Sequence, residues 1–335
     1  MVFEVTKEQL ITLQRRATPP HVVILGAGAS LAAFPTGDRN GRRLPLMKNI
    51  VEVIGLQDEV RDTYPDLHDD FEALYSRLFS DDPKAEIVRK IELRIEEYFS
   101  KLELPNHPTL YDLLLLSLRE KDAVFTFNWD SFLFDAHKRL KDIAPLPSIY
   151  HLHGNVRVGI CADCGNSGER GQPCPACGNA LNPTRLLYPV EQKNYAEDTF
   201  IESQWKLVEQ KLSEAWYVTI FGYSAPKTDQ EAIRLFTNAW KGAGEDKRLI
   251  ERVEIIDIRN QSELFNQWWD FAHFDHIDVR RSFFESYLAN YPRRTCEAHG
   301  YRGIEGKFVE PIPWPGNLEG LKNSVAELAA YERDS

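Results

Sequence analysis

Four cysteines fall into two Cys-x-x-Cys-Gly knuckles, Cys161/Cys164 and Cys174/Cys177, with nine residues between the pairs. Each knuckle sets two thiolates on one edge of a tetrahedron, and the glycine permits the turn that aims backbone N–H groups at sulfur. Four sulfur ligands leave no position open to water, so zinc held here is structural and not catalytic. Two disulfides are the alternative. The opening MVFEVTKEQLITLQRR shows no secretory pattern, which favours metal and predicts a cytoplasmic protein. Cys296, near His299, reads as a bystander thiol.

A second group of residues could do chemistry on a nucleotide. Gly26-Ala27-Gly28-Ala29-Ser30 follows an apolar run and is half of a dinucleotide fingerprint; the usual third glycine is replaced by Leu31. Such a turn lets a pyrophosphate approach the backbone and the N–H donors of a following helix. A tight strand-to-helix turn without a ligand is the plainer reading. Asn128 and Asp130 follow another apolar run, and His153 a third. A histidine can take a proton near neutral pH, an amide can hold a water or carboxamide, and a carboxylate can balance developing positive charge. Taken singly, these residues are as readily helix caps or structural polar groups.

The elements that must position them form a regular series. Apolar runs at 21–25, 123–127, 148–152, 217–221 and 253–258 predict five strands, alternating with helical stretches. That is the pattern of an α/β, Rossmann-like doubly wound parallel sheet, in which ligands bind beyond the carboxyl ends of the strands. Residues 1–20 are expected to carry an N-terminal helix over 4–16, ended by Pro19 and Pro20, and residues 34–48 a loop. The Rossmann-like domain is expected over 21–48, 119–154 and 187–260. A helical insertion is expected at 49–118, a zinc-binding module at 155–186, and a C-terminal extension at 261–335, with Trp268, Trp269 and a terminal helix near 318–331.

The 335 residues, 43% of them hydrophobic, suffice for one large domain with insertions. A formal charge of −11 argues against a surface-wide nucleic-acid face, and no apolar run approaches the length of a membrane span. A homo-oligomer is compatible with the sequence.

In order along the chain, GAGAS at 26–30, TFNWD at 126–130, HLHG at 151–154, the two knuckles, FGYS at 221–224 and VEIID at 253–257 resemble the sirtuin family over residues 20–260. The resemblance implies a Rossmann domain and a smaller domain of helical and zinc-bearing insertions, with NAD+ between them. Carried over by position, Gly26, Ala27, Gly28, Ala29 and Ser30 would hold the pyrophosphate. Asn128 and Asp130 would line the nicotinamide and ribose pocket, and His153 would be the general base. Gly222, Tyr223 and Ser224 would touch the ADP-ribose, and Asp257 would sit near the adenosine ribose. The reaction implied is cleavage of the nicotinamide–ribose bond through an oxocarbenium-like state.

Departures from the family fall on the side of an acyl-peptide. The Pro-Asp-Phe-Arg loop is reduced to Pro35-Thr36-Gly37-Asp38-Arg39, without its aromatic, leaving Arg39 as a candidate phosphate or substrate contact. The segment that grips an acyl-lysine peptide has become Leu187-Tyr188-Pro189-Val190-Glu191. Gly222-Tyr223-Ser224, followed by Asp229, resembles the divergent bacterial branch, whose members deplete NAD+ in antiviral defence. Asp257 stands where the family has asparagine. The first expectation is therefore an NAD+ hydrolase that yields ADP-ribose and nicotinamide. The alternatives are an NAD-dependent lysine deacylase acting on an acyl-lysine peptide, and a non-enzyme that senses NAD+ or ADP-ribose or uses its zinc ribbon and aromatic-rich C-terminus as an interaction module; a defence-system partner protein is a further candidate partner.

Overall fold

The computed structural model describes residues 3–13, 17–64, 66–67, 70–190, 195, 198–241, 251–272, 274–315 and 318–332. Its centre is a sheet of six parallel strands. They are β1 (His21–Leu25), β2 (Ala123–Thr126), β3 (Ser148–His151), β7 (Tyr217–Phe221), β8 (Arg252–Ile256) and β9 (Ile277–Arg280). Their order is β3-β2-β1-β7-β8-β9. Counting these strands alone, that is the 3-2-1-4-5-6 arrangement of a doubly wound sheet, and it reverses between β1 and β7.

The central strands β1, β2 and β7 are buried at every position and mostly apolar because both faces of the sheet are covered there. Val23 and Leu25 of β1 point into one core with Val124, Phe221 and Ile256. Val22 and Ile24 point into the other with Phe125, Ile220 and Ile255. The first core is closed by the helices inserted between β1 and β2. Val88, Ile91, Ile95 and Phe99, the buried positions of helix Glu86–Ser100, recur at helical spacing and supply much of it. The second core is closed by helices Thr199–Glu214 and Gln230–Lys241.

Between β3 and β7 lies a separate three-stranded antiparallel sheet, ordered β5-β4-β6, made of β4 (Val158–Ile160), β5 (Ser167–Glu169) and β6 (Asn182–Pro183). It carries the four knuckle cysteines.

Several boundaries differ from the sequence expectation. The first helix spans only Lys7–Ile11, closed by a Thr6/Gln9 capping box, and residues 14–16 of the expected helix lie outside the described residues. Strand β8 stops at Ile256 and not at 258, because the Asp257 carboxylate turns back to accept from the Arg259 amide at 2.9 Å. The sheet also takes its sixth strand, β9, from beyond residue 260. Its Ile-Asp-Val-Arg alternation is that of a half-covered edge strand and lacks the apolar run of the others. Adjacent Arg293 and Arg294, both fully buried, tie the C-terminal segment down. Arg293 donates to the carbonyls of Leu118 and Pro145, Arg294 to those of Leu10, Ile11 and Leu328, and both pair with Glu332. Among the described residues, no helix is long and apolar enough to cross a membrane.

Candidate active site

A cavity of about 750 Å³ opens at the carboxyl ends of β1, β2, β7 and β8, at the point where the strand order reverses. The turns after β1 and β7 form its floor and are locked together. Gly26 donates to the Phe221 carbonyl at 3.1 Å and Gly28 to that of Gly222 at 2.9 Å. A Cβ on Gly222 would fall 2.2 Å from the Ala29 nitrogen, and one on Gly28 would fall 2.8 Å from the Gly222 oxygen. Gly222 also has φ +59°, the left-handed region that glycine tolerates. The two glycine turns are therefore required by each other as well as by anything bound above them.

One side of the cavity carries a directed hydrogen-bond chain. The Asn128 side-chain nitrogen donates to the Gly26 carbonyl (3.0 Å), Ser30 Oγ (3.0 Å) and the Tyr111 hydroxyl (3.2 Å). Ser30 Oγ lies 2.6 Å from the Tyr111 hydroxyl and donates to Asp130 Oδ2 at 2.7 Å. Since the Ser30 proton is spent on the carboxylate, Tyr111 must donate to Ser30. Burial raises the Tyr111 pKa and keeps it protonated for that role. The Gly26 carbonyl can only accept, which fixes the Asn128 nitrogen as the inward atom of the amide. Burial also raises the Asp130 pKa to about 6, against the lowering effect of the Ser30 hydrogen bond. The Asn155 side chain holds the Asp130 backbone carbonyl at 2.6 Å.

The other side carries His153. Its Nε2 lies 3.7 Å from Asp229 Oδ1, and both side chains are almost fully buried. The Tyr223 hydroxyl donates to the second Asp229 oxygen at 3.0 Å. The Tyr223 ring lies flat on Phe127, at 4.1 Å between centroids, and Phe127 meets the His153 ring edge-on at 4.7 Å.

Most residues singled out in the sequence converge here: Gly26, Ala27, Gly28 and Ser30; Asn128 and Asp130; His153; Gly222, Tyr223 and Ser224; and Asp257 all line the cavity. Two do not. Ala29 is buried beneath it, inside helix Ala27–Ala33. Arg39 is not among the lining residues, and its half-exposed guanidinium faces Glu103 at 3.9 Å. The shortened loop is folded on itself, because the Asp38 carboxylate accepts from the amides of Asn40, Arg42 and Glu103 and so holds Arg39 outside. The Asp257 carboxylate is engaged by the Arg259 guanidinium at 2.9 Å.

Sequence reading missed Tyr111 and gave Asp229 no role. Tyr111 stands on the buried face of a leucine-rich helix, where an aromatic reads as core; its hydroxyl was the only signal. Asp229 sits five residues beyond Ser224, in a single turn of 3-10 helix at Lys227–Asp229 that leads into Gln230–Lys241.

The four knuckle cysteines lie apart from this cavity, with their sulfurs all within 4.8 Å of one another. A tetrahedral zinc with Zn–S near 2.3 Å needs sulfur separations of about 3.8 Å. Both knuckles have the same backbone: Cys161 and Cys174 donate to the Asn166 and Asn179 carbonyls, and Gly165 and Gly178 return bonds to the cysteine carbonyls. The donor set fits a closed structural zinc site.

No protein-family model matches the chain. Three methionine–tRNA ligases share short segments with it. That of Saccharopolyspora erythraea is 41% identical over 46 residues, 14% of this chain and 8% of that protein. That of Bifidobacterium adolescentis is 34% identical over 77 residues, 20% and 12%. That of Corynebacterium glutamicum is 39% identical over 51 residues, 15% and 8%. The chain thus spans about a tenth of the length of these curated relatives, which is the scale of a small module. Among solved structures, a Sir2 homologue in complex with NAD has a TM-score of 0.45 at 17% identity, covering 88% of this chain and 94% of that one. A triply substituted Sir2 homologue with 2′-O-acetyl ADP-ribose scores 0.44 at 19% identity, with 88% and 93% covered. A substituted Sir2 with a deacetylated p53 peptide and 3′-O-acetyl ADP-ribose scores 0.35 at 16% identity, with 90% and 98% covered. At these values the likeness is one of coarse chain course. The chain is similar to Sir2 homologues at that level, and its own structure is a Rossmann-like sheet with a four-cysteine insertion.

Proposed function

We propose that this chain binds NAD+ in the cavity and hydrolyses its nicotinamide–ribose bond. The observation that carries the reading is convergence. Three separate segments of sequence bring the Gly26–Ser30 turn, the Asn128–Asp130 amide and carboxylate, and the His153 imidazole to one cavity at the reversal point of the sheet. A volume of about 750 Å³ suits a dinucleotide-sized ligand. The motif resemblance to sirtuins supports the choice of dinucleotide.

In this reading the pyrophosphate lies over the Gly26–Ser30 turn; Arg281 and Lys48 are cations among the residues lining the same cavity. Asn128 offers its oxygen to the nicotinamide amide or to the attacking water. Asp130 balances the positive charge that develops on the sugar as the C1′–N bond breaks and its electron pair leaves with nicotinamide. Water bonds to C1′ and gives its proton to His153. The products are ADP-ribose, nicotinamide and a proton.

Water is favoured over an acyl-lysine because the backbone that would grip a peptide is engaged within the chain. Leu187 N donates to the His153 carbonyl at 3.0 Å, and Ser76 Oγ donates to the Pro189 carbonyl at 2.9 Å. Glu191, at the end of that segment, lies outside the described residues. A place in bacterial antiviral defence rests on the motif resemblance alone.

The test is incubation of purified protein with NAD+, with and without an acetyl-lysine peptide, followed by chromatography. ADP-ribose formed without peptide supports hydrolysis, and His153→Ala should abolish it while the fold and zinc content hold. O-acetyl-ADP-ribose formed only with peptide would make the chain a deacylase. Binding without turnover would make it a sensor.

A further inference from the structure

The His153–Asp229 pair is not explained by a base acting alone. A carboxylate within 4 Å of an imidazole, with both groups excluded from water, is costly unless each serves the other. Asp229 is held in place independently of His153. Its amide bonds to the Pro226 carbonyl at 2.9 Å within the 3-10 turn. Its second oxygen accepts from Tyr223, whose hydroxyl stays protonated because burial beside Asp229 pushes its pKa far up. The neighbouring Thr228 hydroxyl reaches Glu72 on helix Phe71–Asp81 at 3.2 Å, so the turn is tied to the helical insertion. The other Asp229 oxygen faces His153 at 3.7 Å, an ion-pair distance that a small ring rotation would shorten to a hydrogen bond.

We propose that Asp229 is a positioning residue for His153: its carboxylate, anchored by Tyr223, orients the imidazole and stabilises its protonated form. Phe127 completes the mount, standing perpendicular to the His153 ring and lying flat on Tyr223. A base held this way keeps one ring nitrogen bound to the carboxylate and offers the other to the proton it must accept. The assignment of a base rests on the function proposed above; the pairing itself does not.

Among the described residues, other titratable groups also stand around the imidazole. Tyr195 stacks beside it at 6.3 Å, and Asp130 and Glu72 line the same cavity. Asp229 is the carboxylate seated against it.

The experiment compares wild type, Asp229→Asn and Tyr223→Phe in two readouts. The first is a nitrogen-15 NMR titration of His153, assigned by loss of its signal in His153→Gln. Asp229→Asn should lower the midpoint by about one to three pH units, the effect of losing an opposite charge at this range. The second is steady-state NAD+ cleavage. Asp229→Asn should lower kcat by at least about tenfold while KM changes by less than about threefold. Tyr223→Phe keeps the ring stack, should show both effects in reduced form, and decides the matter if Asp229→Asn does not fold. An unmoved titration overturns the proposal even if kcat falls, and so does a loss confined to KM. If wild type does not cleave NAD+, the proposed function fails while the titration still decides the pairing.

Discussion

The amide of Gly28 donates to the carbonyl of Gly222 at 2.9 Å, so the turn after β1 and the turn after β7 close on each other at the reversal point of the sheet. Sequence places these glycines nearly two hundred residues apart, and neither has room for a side chain. Gly222→Ala combines a Cβ 2.2 Å from a backbone nitrogen with a left-handed φ. It should destabilise the fold by about 3 kcal/mol or more in urea unfolding. A loss below about 1 kcal/mol would mean that the two turns move apart freely.

Asn128 feeds three acceptors through one amide nitrogen. Asn128→Ala should lower turnover by about a hundredfold or more, as when a charge-stabilising group is lost. Asn128→Asp should also cost about 2–3 kcal/mol of stability, because it sets an acceptor against the Gly26 carbonyl. Paired kinetics and unfolding curves check both. Equal stability for the two variants would contradict the orientation of the amide.

Asp130 has its pKa raised by burial from 3.8 to about 6. Between those values the folded chain holds a proton that the unfolded chain has released, so this group lowers stability as pH rises through the window. His21 and His151, lowered by burial to about 3 and about 4, act oppositely. Their contribution is full above pH 6.5 and is lost as the medium turns acid. Those histidines are common to wild type and Asp130→Asn and cancel in the comparison. The variant should therefore gain about 2–3 kcal/mol relative to wild type between pH 4 and pH 7, read as a difference in Tm. Turnover of wild type should fall as pH drops through about 6, where the charge facing the sugar is neutralised.

Cys161 and Cys174 are buried beside Leu181 in a small cluster of their own. Cys161→Ser should cut bound zinc from one per chain to near none and lower Tm. Far-UV circular dichroism should change little, because the knuckles hold only the β4–β6 module. Collapse of the whole spectrum would show that the module supports the main sheet.

The strands β1 and β7 were legible to the residue, since a parallel strand buried on both faces reads as a near-continuous apolar run, in which His21 and Thr219 are the polar exceptions and bond to each other. Strand β9 was not, because an edge strand covered on one side needs only Ile277 and Val279 to be apolar. Tyr111 was hidden for a related reason. On a buried helix face a tyrosine satisfies the same apolar pattern as a leucine, and nothing local shows that its hydroxyl meets Ser30 and Asn128. Arg39 went the other way: as the remnant of the family's Pro-Asp-Phe-Arg loop it suggested a phosphate or substrate contact, yet Asp38 ties that loop to itself and Arg39 does not line the cavity.

Local chemistry alone determined the doubly wound sheet, the four-sulfur site and the polar residues at the strand ends, because periodicity and knuckle spacing act over a few residues. Which of those polar groups touch was decided only by the folded sheet. Parallel strands joined by long insertions bring distant segments to one edge, and the partners across it, Tyr111 for Asn128 and Asp229 for His153, follow from that topology and from no pattern along the chain.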